Sequence, residues 1–134
     1  DHKLAKLKKV QTHHLQGQNI LTLEGQYSSY HQMELLCVEL GANIARDYEG
    51  TSLDALRQMV MMGMGLTFLP ALYIYSEIHQ PQGLSVREVE KLQLSRTHVL
   101  AWRRNSPNRS FYRQLAEQIR SLAKTNLSDV KLSF

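Results

Sequence analysis

From Thr51 to Pro70 the chain reads T-S-L-D-A-L-R-Q-M-V-M-M-G-M-G-L-T-F-L-P, and this stretch constrains the fold more than any other. Thr51 or Ser52 can cap a helix, because a side-chain oxygen can accept a backbone N–H that the first turn leaves unpaired. Leu53, Leu56, Met59, Val60 and Gly63 recur at helical spacing and give one apolar stripe. Gly63 and Gly65 are expected to end the helix and to allow backbone angles that a side chain resists. Leu66 to Leu69 is short and apolar enough to be a buried strand, which Pro70 stops. A capped helix, a glycine turn and a buried strand make half of an α/β unit.

The rest of the chain extends that pattern. Asp1 to Gln18 is polar and basic, with Leu4, Leu7, Val10 and Leu15 spaced loosely. Asn19 to Leu23 reads as a strand. Ser28 or Ser29 then begins a helix with Met33, Leu36, Cys37 and Leu40 on its stripe, closed by Gly41. Asn43 to Tyr48 is a second strand leading into the Thr51 helix. Ala71 to Ile78 is a short helix or irregular turn, and residues 80–83 form a loop by their turn residues. Leu84 to Leu92 is expected to be an edge strand and Thr97 to Trp102 a stronger one. Pro107 sits at a helix-compatible first position. A final helix carries Phe111, Leu115, Ile119 and Leu122. Strands alternating with helices argue for a parallel α/β sheet built from crossover units.

With 134 residues, 43% of them hydrophobic, the chain can bury a core and does not have the composition of a disordered one. No apolar run approaches the roughly 20 residues of a membrane helix, and no signal peptide opens the sequence. A cytoplasmic location without membrane contact is the expectation. The net charge is +4, with Lys3, Lys6, Lys8 and Lys9 at the start and Arg96, Arg103, Arg104 and Arg109 near the end. Lacking a DNA-reading helix or aromatic platform beside them, these clusters read as solvated surface. The single cysteine, Cys37, excludes a disulfide within the chain, and no Cys/His spacing suits a structural zinc site. His13 and His14 read as surface histidines. No phosphate loop or nucleophile elbow is present, and no coherent base, nucleophile or metal set points to an enzyme. Neither a metal nor a cofactor is expected.

The wording of Thr51–Pro70 resembles the effector domain of LysR-type transcriptional regulators, where T-S-x-x-x-L-x-x-M-V-x-x-G-x-G-[IL]-x-x-L-P recurs. Nearly every specified position fits. The opening D-H-K-L-A is similar to the family's D/E-H-P-L-A, with Lys3 in place of the proline. The run W-R-R-N-S-P-N-R-S-F-Y-R-Q-L-A-E-Q-I-R looks most like the peroxide-sensing OxyR branch. The resemblance extends from Leu4 to about Leu122 and is weakest between Tyr73 and Leu92.

It implies an α/β, periplasmic-binding-protein-like regulatory domain with a parallel or mixed sheet flanked by helices. Residues 1–134 would be part of such a domain, with 19–95 as its second subdomain and 96–125 as a return strand and helix to the first. Implied partners are a small-molecule effector or peroxide, a second copy in a homodimer or homotetramer, and DNA through a helix-turn-helix domain absent from this chain.

OxyR-type sensors carry a reactive cysteine in L-E-x-G-H-C-L and a second one nine positions on. Here the equivalent run from Leu23 to Ser29 is L-E-G-Q-Y-S-S. By resemblance Ser28 takes the place of the first cysteine, Tyr27 replaces the histidine, and Cys37 matches the second cysteine. A serine hydroxyl has no comparable oxidation ladder, so the intramolecular disulfide switch is excluded. Ser28 has two origins open to it: an engineered replacement of cysteine, or a natural serine in a relative sensing something else. Gln26, Tyr27 and Ser29 also depart from the pattern, which one engineered change would leave alone, and this favours the natural origin.

Thr51, Ser52, Ser28 and Tyr27 are the candidate effector contacts, Thr51 being the family's cleft-facing threonine. The same hydroxyls can act as caps, and both roles can hold together. Two helix N-termini aimed at one cleft would favour a small anion. Cys37 is the redox candidate, although its place on an apolar stripe suits a packed small hydrophobe. In the family the outer side of the Thr51 helix packs on a partner subunit, which marks Asp54, Gln58, Met61 and Met62 as candidate dimer contacts. The expected role is therefore effector sensing and dimerisation in a LysR-type regulator related to the peroxide response. The alternative is a transport-type solute-binding module, against which the missing signal peptide and the free cysteine speak.

Overall fold

The polar opening of the chain supplies much of its core. In the computed structural model, which describes residues 2–25, 28–79, 83–92, 94–95 and 97–127, a 3-10 turn covers Lys3–Lys6, strand β1 covers Val10–Gln11, and a second 3-10 turn covers Thr12–Leu15. Strand β2 is Asn19–Leu23, helix α1 Ser28–Leu40, strand β3 Asn43–Gly50 and helix α2 Leu53–Met61. Helix α3 is Ala71–Glu77, strand β4 Val89–Glu90 and helix α4 Arg109–Asn126. The chain divides into two compact units, Asp1–Leu94 and Ser95–Phe134.

In the first unit, Leu4, Val10 and Leu15 pack with Leu36 and Leu40 of α1, and Leu66, Phe68, Val89 and Leu92 close around them. The loose spacing of those N-terminal residues hid this, because two short turns follow neither the helical nor the strand period. β2 and β3 pair in parallel, Asn19 opposite Asn43 and Leu23 opposite Gly50. Between these ends Ile20 pairs with Ile44 and Thr22 with Glu49, so β3 bows outward at its exposed residues Arg46, Asp47 and Tyr48.

Both helices end as their glycines dictate. Gly41 (φ +63°) follows α1, with Ala42 N–H on Cys37 O and Gly41 N–H on Val38 O. Gly63 (φ +79°) follows α2 in the same way, with Met64 N–H on Met59 O and Gly63 N–H on Val60 O. These paired bonds satisfy carbonyls that the helix ends leave open.

Gly65 serves a different purpose from the one its spacing suggests. Its φ is not positive, but a Cβ there would lie 2.8 Å from Asn19 O. The missing side chain lets the following segment approach β2, where Leu66 N–H donates to Asn19 O at 2.9 Å and Leu21 N–H to Leu66 O at 2.7 Å. The strand expected at 66–69 is reduced to this single parallel bridge between Ile20 and Leu66, and residues 66–69 are half-buried rather than buried.

Other strands differ from expectation as well. Of Leu84–Leu92 only Val89–Glu90 is paired, parallel to β1. Thr97–Trp102 forms no strand, and Val99 is 81% exposed. The apolar composition of T-H-V-L-A-W needs a neighbouring strand to become sheet, and among the described residues none pairs with it. α4 forms as its period requires, but Phe111, Ile119 and Leu122 on its apolar stripe are exposed. Pro107 lies just outside this helix, before the cap residue Asn108, rather than at its first position. Within the same unit the Trp102 and Tyr112 rings meet with centroids 5.9 Å apart. No helix among the described residues is long and apolar enough to cross a membrane.

Candidate functional site

The parallel pairing brings the ends of two strands together. Leu23 and Gly50 are register partners at the carboxyl ends of β2 and β3, and Glu24 N–H donates to Gly50 O at 3.1 Å. Ser28 opens α1 a few residues beyond Leu23, and Thr51 and Ser52 lead into α2 directly after Gly50. Both helices therefore start from the same edge of the sheet. Crevices at the carboxyl edge of a parallel sheet are where ligands of open α/β folds bind.

Ser52, not Thr51, caps α2, with its Oγ accepting Ala55 N–H at 3.1 Å. Its extended backbone (φ −154°, ψ 165°) is the shape a cap residue needs. Thr51 is exposed beside it. Below this edge Leu56 is only 2% exposed and fills the space over Gly50, where an added Cβ would lie 2.7 Å from Leu56 Cδ2. Burying a leucine side chain this fully contributes about 2–3 kcal/mol. Small backbone at Gly50 and a large side chain at Leu56 thus seat the α2 N-terminus on β3. Tyr27 and the side chain of Ser28 lie outside what the structure describes, so of the four candidate effector contacts Thr51 and Ser52 are placed at this edge, with the start of α1 at Ser28 beside them.

Cys37 is 2% exposed in α1, on the apolar face with Leu36 and Leu40. Burial pushes its thiol above the ordinary value of 9.0. That is the opposite of the lowered pKa a reactive thiolate needs.

The candidate dimer contacts lie on the outer side of α2. Asp54 and Gln58 are exposed, as are Met61 (44%) and Met62 (69%). Asp54 is not a free charge: Arg57 Nη2 sits 2.7 Å from its Oδ1, and Tyr73 of α3 donates to the same oxygen at 3.0 Å. Desolvation raises the Tyr73 pKa, and the Asp54 hydrogen bond and charge add to the rise. The i, i+3 spacing of Asp54 and Arg57 could have signalled the ion pair. No sequence signal links either residue to Tyr73, which comes from another helix.

Among the described residues there are also two surface depressions that hold none of the candidate contacts. One, of about 460 Å³, is lined by Lys3, His13, His14 and Gln18 among others. The second, of about 740 Å³, lies on α4 beside Trp102.

Comparison with known proteins agrees with this architecture. The family profile described as LysR substrate binding domain matches residues 1–124. The DNA-binding transcriptional dual regulator OxyR of Escherichia coli K12 is 38% identical over 121 residues, covering 90% of this chain and 39% of that protein. The hydrogen peroxide-inducible genes activator of Pectobacterium carotovorum is 36% identical over 120 residues, again 90% of this chain and 39% of the relative. The crystal structures of OxyR in its oxidised and reduced forms superpose with TM-scores of 0.73 and 0.74 at 36% identity. They cover 92% of this chain and 58% and 56% of the respective solved chains. The two scores differ too little to favour either form. The chain thus spans about two-fifths of the length of these curated relatives. With a periplasmic-binding-protein-like α/β fold and OxyR among its relatives, it belongs to the LysR substrate-binding domain family.

Proposed function

We propose that this chain is the effector-sensing and dimerising part of a LysR-type regulator related to the peroxide response, and that it reads a bound small anion rather than its own cysteine oxidation. The observation that carries this reading is the shared carboxyl edge of β2 and β3, from which α1 and α2 both start. Thr51 and Ser52 supply hydroxyl groups along that edge, α1 begins there at Ser28, and first-turn N–H groups of helices favour negative charge. A disulfide switch within the chain has no second thiol, since Cys37 is the single cysteine. The subdomain division at 19–95 and 96–125 belongs to this proposal.

Signal transmission would follow from differential affinity of the effector for two subunit arrangements. The exposed α2 face at Asp54, Gln58, Met61 and Met62 is the proposed subunit contact. DNA would be engaged through a helix-turn-helix domain outside this chain, in the cytoplasm. The names of the relatives describe transcriptional regulators and support a non-enzymatic role.

Calorimetry and amide chemical-shift mapping against sulfate, small carboxylates and hydrogen peroxide test the proposal. Shifts centred on Thr51, Ser52 and the start of α1, with a change in sedimentation, are expected for one of the anions. Binding elsewhere, or saturation with no change in assembly, refutes it.

A further inference from the structure

Residues 84–88 lie along the N-terminal segment with little apolar burial, and of the segment that follows Val89 packs against the core. Ser85, Val86, Arg87 and Glu88 are exposed, and Leu84 is half-buried. The ladder between β1 and β4 joins only two residue pairs, Val10 with Val89 and Gln11 with Glu90, and Val10 N–H donates to Glu88 O at 3.0 Å. A ladder this short is not stable by itself. The Lys9–Glu90 ion pair beside it measures 3.5 Å, with both side chains in solvent, where such pairs contribute little.

Arg87 supplies what the ladder lacks. Its Nε–H donates to Leu7 O at 2.6 Å, Nη2 to Ala5 O at 2.5 Å and Nη1 to Val86 O at 2.7 Å. Ala5 and Leu7 stand at the carboxyl end of the Lys3–Lys6 turn, where carbonyls lack partners further along the turn and a cation is favoured. The planar fork of a guanidinium can hold two such carbonyls together with one of its own segment, while a lysine ammonium acts as a single point charge.

We infer that Arg87 is a clasp that holds residues 84–90 on the Ala5–Gln11 segment, forming a strap that opens without unfolding the β2–β3 sheet. Leu4, Val10 and Leu15 keep the N-terminal segment packed against α1 by apolar contact, so release of the clasp loosens the later strand, which is then held only by the half-buried Val89 and the two-pair ladder. The strap leads to Leu94, where the first unit ends and the Ser95–Phe134 unit begins. The clasp acts within the first unit, independently of what the effector is.

Site-resolved hydrogen exchange on the full chain tests this. The Val10 amide, bonded to Glu88 O, reports the strap, while the Leu21 and Asn43 amides, bonded to Leu66 O and Gln18 O, report the sheet. Arg87→Gln is expected to speed Val10 exchange at least about tenfold and to leave Leu21 and Asn43 within about twofold, since local opening exchanges independently of global unfolding. Lys9→Gln is expected to change Val10 by less than about twofold, as an exposed pair should. Unchanged Val10 exchange in Arg87→Gln overturns the clasp, and so does equal acceleration of all three amides, which would mark general support of the fold. Wild-type protection in Arg87→Lys would show that charge alone suffices and would overturn the forked geometry.

Discussion

Gly65 and Gly63 are two residues apart, yet the same substitution costs different amounts at the two positions for different reasons. At Gly65 a new Cβ would stand 2.8 Å from Asn19 O and 3.2 Å from Leu21 Cγ. Asn19 O cannot retreat without breaking its bond to Leu66 N–H, and Leu21 is 1% exposed and cannot turn into solvent. Relief requires the 65–66 segment to back away from β2, which lengthens the two hydrogen bonds joining Leu66 to that strand. Overpacking of this kind costs about 1–3 kcal/mol. Each weakened backbone bond adds up to about 1 kcal/mol. Gly65→Ala should therefore destabilise the protein by roughly 2–5 kcal/mol, a large part of the margin of a small domain. At Gly63 nothing lies within 4 Å, and the penalty is the left-handed backbone alone (φ +79°), about 1–2 kcal/mol. Equilibrium urea unfolding measures both as shifts of midpoint at constant slope. A Gly65→Ala variant within half a kcal/mol of the parent, or a costlier Gly63→Ala, would refute the reasoning.

Three further predictions concern the candidate site and its support. Ser52→Ala removes the cap on α2 and should cost about 1 kcal/mol, with faster exchange of the Ala55 amide; no change in that amide would mean another group caps the helix. Native Cys37 should resist Ellman's reagent and peroxide until the chain is unfolded, and reaction at the rate of a free thiol would contradict its burial. Its folded pKa lies above the unfolded value, so its contribution to stability is complete below about pH 9 and is lost as pH rises through the folded value. Thr22 is 2% exposed and its Oγ1 has no protein partner among the described residues, so Thr22→Val should stabilise by about 1 kcal/mol. A clear loss of stability in the same unfolding assay would instead indicate a bound water on that hydroxyl.

What could be read in advance was whatever local periodicity and backbone chemistry decide. The stripe Met33, Leu36, Cys37 and Leu40 specifies α1 wherever that helix sits. Gly41 and Gly63 specify its end and that of α2, because only glycine takes the left-handed turn without strain. The motif at Thr51–Pro70 carries the family for the same reason: its glycines, caps and apolar positions each answer a fixed local demand. The site was legible to the extent that it consists of helix starts, which is why Ser28 or Ser29 and Thr51 or Ser52 could be expected at them, while the choice of Ser52 as cap came from the structure.

Pairing partners were not legible. T-H-V-L-A-W has every local feature of a strand and forms none, because hydrogen bonds to a neighbour make a strand and composition does not supply the neighbour. Leu66–Leu69 keeps one bridge for the same reason.

The sequence by itself determined the α/β class, helices α1 and α2 with their glycine ends, the family and the lack of an internal disulfide. Only the tertiary structure decided that Leu4, Val10 and Leu15 join the core, that Asp54 is shared by Arg57 and Tyr73, and that Arg87 reaches back to Ala5 and Leu7. Apart from the neighbouring Asp54–Arg57 pair, these contacts join residues distant in the chain, and no local propensity encodes a contact whose two halves meet only after the chain has folded.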